Sequence, residues 1–145
     1  MSAQTISASQ AMAGGRDTAR LLRTVLRIDS ASTAVMAVFL IAASGLLSSP
    51  TGMPMALSVA FGIYQLGGAA ALALIAGYPT IPRGLGWAVI AVNVLSSVGC
   101  LILAFTGFAP LTGLGVAFML AGAVVVAVFA ELELIGLRRM ARTEG

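Results

Sequence analysis

Histidine and lysine are absent from this chain, cysteine occurs once, and charge of either sign is scarce. The missing histidine removes the commonest metal ligand and general base, and with it histidine-ligated haem. A single Cys100 excludes an intrachain disulfide. Only 9% of the 145 residues are charged, whereas a water-soluble domain carries roughly a quarter. Eight arginines and five acidic residues cannot coat a globule of this length. No metal-ligand spacing, phosphate loop, nucleophile elbow or cysteine pair occurs, so no metal, no cofactor and no enzymatic activity are expected.

What the chain has in abundance is apolar sequence: 59% of residues are hydrophobic and the mean hydropathy is +1.04. The bilayer is therefore the expected solvent for most of the surface, and the length fits one domain. The net charge is only +3, and the arginines lie beside apolar segments rather than on a basic domain, so nucleic acid is not an expected partner. Residues 1–20 are small and polar without a basic start and apolar core, which does not fit a cleaved signal peptide.

About 20 apolar residues cross the hydrocarbon as a helix. Four such segments are present, at about 28–48, 55–78, 85–108 and 114–137. Pro50, Gly52 and Pro54 separate the first two, Pro79 and Pro82 the next, and Pro110 with Gly113 the last. The expected fold is an all-α bundle of four transmembrane helices whose short connections make sequential helices antiparallel neighbours. Residues 1–15 are expected as a flexible tail, 16–27 as an amphipathic lead-in, and the end of the chain as a short cytoplasmic tail.

Arg16, Arg20, Arg23 and Arg27 precede the first span, Arg83 lies between the second and third, and Arg138, Arg139 and Arg142 follow the fourth. The other two connections carry no charge, so the positive-inside rule puts both termini in the cytoplasm. The two arginine groups at the ends of the chain are expected to anchor on lipid headgroups. Ser58, Gly62, Ala69, Ala73 and Gly77 offer small-residue faces for close helix packing. A short internal echo pairs LIAASG (40–45) and SPTG (49–52) with ILAFTG (102–107) and PLTG (110–113), as two related hairpins would.

Polar side chains at membrane depth are costly and so repay individual reading. At about 100° per residue, Asp29 turns toward the bundle with Ser32, Thr33 and Met36. Gln65 shares a face with Ser58, Gly62 and Ala69, and Asn93 with Ser97 and Cys100. Glu131 shares a side with Val124, Ala127, Arg138 and Arg142, whereas Glu133 points the opposite way with Phe118, Gly122 and Phe129. One inward polar residue per helix is expected, namely Asp29, Gln65, Asn93 and Glu131, as either a structural network or a polar pocket open to the cytoplasm.

LRID (26–29), AELELIGLRR (130–139) and the asparagine of the third span resemble small four-helix bacterial membrane proteins that have no assigned activity. The resemblance spans most of the chain and implies the same topology in a bacterial inner membrane. A non-enzymatic role is expected, as an accessory or assembly subunit docked on other membrane subunits or on copies of itself. The alternative is a small oligomeric transporter or proton-coupled carrier that uses the inward polar residues.

Overall fold

The computed structural model describes residues 3–143, and among them the chain is helical with no strand. The helices are α1 (Ala3–Ala42), α2 (Ser44–Thr51), α3 (Met55–Ala76), α4 (Arg83–Phe105) and α5 (Gly113–Thr143). Four of them, α1, α3, α4 and α5, are long and apolar enough to cross a membrane. Their outer surfaces suit such a solvent: Val35, Leu74, Leu95 and Phe105 are each more than two-thirds exposed, which lipid tolerates and water does not.

Proline and glycine set the helix boundaries. Pro54 and Pro82, both in extended conformation, stand immediately before α3 and α4, where a fixed φ and a missing N–H cost nothing. Gly52 ends α2 at φ 69, donating its N–H to Ser48 O, a left-handed cap that glycine adopts without a Cβ penalty. Two boundaries differ from the sequence expectation. The first span breaks at Ala43, and α2 then carries the helix through Ser48, Ser49 and Pro50 to Thr51, where a turn was expected. Residues 3–15, expected as a tail, continue α1 as helix. Residues 1–2 and 144–145, the outer parts of both expected tails, lie outside the described residues.

Among the long helices, α1 packs on α3 and on α5, and α5 packs on α4, while α3 and α4 hardly touch. The helices thus stand in the order α3, α1, α5, α4 around a cleft whose open side lies between α3 and α4. Small residues bring the backbones together at these crossings. A Cβ on Gly62 would lie 2.8 Å from Ala37 O and 2.5 Å from Ile41 Cγ1. Ser58 Oγ donates to Leu40 O and Ser30 Oγ to Ala69 O, each at 2.8 Å. Ser58, Gly62 and Ala69 are therefore consumed in the α1–α3 contact within one chain, while Ala73 and Gly77 are exposed. Gly62→Leu is expected to separate α1 from α3 and cost about 2 kcal/mol by overpacking, seen as a lower midpoint in detergent-induced unfolding. Unchanged stability would mean that α1 and α3 part easily.

Two buried clusters hold the ends. On the arginine-bearing side, Leu22 and Leu26 of α1 meet Leu72, Ala76, Ile81, Val89, Ile90, Leu137 and Met140. Arg23 contributes here too: its Nη2 donates to Tyr78 O at 2.7 Å and to Pro79 O at 3.1 Å. This arginine, expected at the headgroups, instead ties α1 to the α3–α4 connection, whose turn carbonyls have no helical partner of their own. Arg16, Arg20, Arg27, Arg138, Arg139 and Arg142 are exposed. At the other end, Met53, Cys100, Met119 and Ala123 cluster beneath the α2–α3 and α4–α5 connections.

Those two connections are joined directly. Thr112 N–H donates to Thr51 O at 2.9 Å and Thr112 Oγ1 to Pro50 O at 2.6 Å. The echo segments 49–52 and 110–113 thus meet, yet they do not repeat in backbone. Gly52 is left-handed where its counterpart Gly113 opens a helix, and Gly107 is left-handed where Gly45 is helical.

Candidate functional site: a cleft backed by two carboxylates

The cleft encloses about 440 Å3, within the size range of small-molecule sites. Asp29, Ser32, Thr33 and Met36 of α1 and Phe118, Gly122, Val125 and Phe129 of α5 form its back. Phe61, Tyr64, Gln65 and Ala71 of α3 form one side, and Ala88, Val92, Asn93 and Ser96 of α4 the other. Tyr64 Oη and Ser96 Oγ, 2.8 Å apart, bridge the open side. The lining is apolar apart from a few convergent polar groups.

Those groups centre on Asn93. Its Nδ2 donates to Asp29 Oδ2 at 3.0 Å and to Glu133 Oε2 at 2.9 Å, so both amide hydrogens are spent on carboxylates. Thr33 Oγ1 donates to Asp29 Oδ1 at 3.0 Å, one turn further along α1. Asp29 is 3% and Glu133 1% exposed. The second oxygen of Glu133, Oε1, is buried without a hydrogen-bond partner among the described residues. Gln65 Oε1 is in the same condition. Buried polar atoms are ordinarily paired, and these two acceptors, Gln65 Oε1 in the cleft wall and Glu133 Oε1 behind Asn93, call for a donor or a cation.

The three helices meet here because of glycine. A Cβ on Gly136 would come within 3.2 Å of Leu22 Cα, and one on Gly86 within 2.9 Å of Leu137 Cδ1. These close approaches draw α5 against α1 and α4, and one turn before Gly136 the side chain of Glu133 reaches the amide between them. Ser97 Oγ adds a bond to Ala123 O at 2.9 Å across α4 and α5.

Asp29, Asn93 and Gln65 all line the cleft. Gln65 is not bonded to the other two, and its oxygen stands apart. The fourth expected residue is corrected: Glu131 is exposed, and Glu133 takes the inward position. The reason is the stripe of α5 that faces the bundle, made of Gly115, Met119, Ala123, Ala130, Glu133, Gly136, Leu137 and Met140. Glu131 shares the outer side with exposed Arg138 and Arg142. The stripe's glycines and alanines, Gly115, Ala123, Ala130 and Gly136, stand six to eight residues apart, so they do not mark the face in the sequence by themselves. Asp29 has its side-chain bonds to Thr33 and Asn93.

Among the described residues, no group of three or more cysteine or acidic side chains is placed to hold a metal ion. Comparison with family models, with curated proteins and with solved structures returns no match.

Proposed function

We propose that this chain is a multi-pass protein of a bacterial inner membrane and that it works, without covalent catalysis, as a small carrier. In this reading sequential membrane helices are antiparallel and both termini are cytoplasmic. The falling order of partners along α3 as α1 rises (Tyr78 with Arg23, Ala69 with Ser30, Ser58 with Leu40) supports the first point. The confinement of arginine to alternate ends of the spans supports the second.

The observation that carries the reading is the Asp29–Asn93–Glu133 cluster: two buried carboxylates held on one amide nitrogen, with one oxygen of Glu133 unsatisfied. A carboxylate at such a place must be offset by a cation or hold a proton. Exchange of one for the other is the elementary step of a proton-coupled carrier. Four helices around a laterally open cleft do not enclose a path across the bilayer, so the carrier acts as a homo-oligomer. The accessory-subunit reading drew on small-residue faces for docking, and the engagement of Ser58, Gly62 and Ala69 inside the chain leaves it less to stand on.

Dicyclohexylcarbodiimide, an apolar reagent that couples to protonated carboxyl groups, tests the cluster directly. Treated in native membranes and digested, the protein is expected to carry one reagent on Glu133 or Asp29, and Glu131 is expected to stay unlabelled. No adduct on either inward carboxylate, or preferential labelling of Glu131, would overturn the reading.

A further inference from the structure

The cleft offers acceptors and almost nothing else polar. Both hydrogens of the Asn93 amide are committed to carboxylates, and Tyr64 and Ser96 are committed to each other. What remains is Asp29, the unpartnered Gln65 Oε1, and Glu133 standing behind Asn93, 1% exposed with its own oxygen unpartnered. No arginine is among the described residues lining the cleft. The remaining wall is hydrocarbon and aromatic, and ring faces attract cations as carboxylates do. An anion would meet the carboxylate of Asp29 with only the Gln65 amide hydrogens and one hydroxyl hydrogen of the Tyr64–Ser96 pair as donors, whereas a cation finds two kinds of complementary surface.

The route in is fixed by the same geometry. Ala71 on α3 and Ala88 on α4 are exposed, line the cleft and stand on its two lips. Between α3 and α4 the Tyr64–Ser96 bond crosses side chain to side chain among the described residues. In a chain whose α3 and α4 are membrane-crossing helices, that opening gives onto the bilayer rather than onto water.

We propose that the cargo is a lipophilic organic cation, an apolar body bearing a positive charge, which reaches the Asp29–Glu133 pair sideways from the bilayer between α3 and α4. The inference rests on the carrier reading and adds its substrate class. The apolar body fills the cleft, the positive group sits toward Asp29 and Gln65, and parting of the Tyr64–Ser96 bond admits it.

The test uses tetraphenylphosphonium and its anionic isostere tetraphenylborate, equal in shape and opposite in charge. The full-length protein in lipid nanodiscs is dialysed to equilibrium with each ion against empty nanodiscs. Saturable binding of the cation alone is expected, weakened at least tenfold by Glu133→Gln. Because that variant alters a buried cluster, Ala88→Phe is measured beside it; this exposed residue narrows the mouth and is expected to weaken the cation as much while leaving the unfolding midpoint in mixed micelles unchanged. Equal binding of both ions, or cation binding indifferent to both substitutions, overturns the proposal. Labelling of Glu133 or Asp29 without any phosphonium binding overturns the cargo class and leaves the carrier reading standing; absence of both removes the two together.

Discussion

Asn93→Leu is expected to cost the folded protein about 4 kcal/mol, the range found when one partner of a buried charged set is removed. Interhelical hydrogen bonds in membranes average only about 0.6 kcal/mol, and the larger figure needs its reason. This amide is the shared donor for two carboxylates that are 3% and 1% exposed. A leucine of similar bulk leaves Asp29 with Thr33 alone and Glu133 with neither oxygen satisfied. The two acceptors would then face each other across hydrocarbon, which is the desolvation penalty with nothing to offset it. Adding Glu133→Leu to Asn93→Leu is expected to restore much of the loss, because replacing a buried ionic set by apolar groups is close to neutral. Unfolding in mixed micelles, followed by the single tryptophan on α4, Trp87, measures both. A loss below about 1 kcal/mol for the single variant would show that water already reaches the cluster, and the double variant would then bring no recovery.

That cluster also shows how far the sequence could be read. The four long apolar helices were legible because each contains a run of about 20 mostly apolar residues bounded by proline, glycine or arginine, a signal that needs no tertiary information. Asp29 and Asn93 were legible as inward residues because small and polar neighbours at helical spacing mark their faces. Glu131 and Glu133 lie two positions apart, about 200° around the helix, so the wheel separated them clearly. Choosing the inward one required knowing which side of α5 meets α1, and the proximity of Arg138 and Arg142 drew the choice outward. The decisive residues were Gly115, Ala123, Ala130 and Gly136, whose value is visible only once a second backbone lies against them. Arg23 escaped for a related reason: its partners are the carbonyls of Tyr78 and Pro79, 55 and 56 residues away. Pro50 misled in the other direction. Proline near the end of a helix forfeits one bond, and Thr51 Oγ1 donating to Leu47 O at 2.6 Å helps α2 close its last turn around it.

The joined connections opposite the arginine-bearing side supply the second large effect, and the chain carries its own controls. Gly52→Ala is expected to cost about 3 kcal/mol, composed of two parts. The first is backbone: at φ 69 an L-residue pays about 1–2 kcal/mol for left-handed geometry. The second is steric, because a Cβ on Gly52 would overlap Pro110 O and crowd Thr112 N at 3.0 Å. Relief requires the two connections to part, which breaks the bonds from Thr112 to Thr51 O and to Pro50 O. Gly107 has the same φ of 69 with nothing within 4 Å of a Cβ, so Gly107→Ala measures the backbone part alone. Gly113, with open space and no positive φ, is expected to accept alanine within about 0.5 kcal/mol. The difference between the Gly52 and Gly107 variants is then the free energy that holds the two connections together. An equal loss at Gly52 and Gly107 would show that the connections separate freely, leaving α2 and α3 hinged to α5 by little more than the contact between α1 and α5.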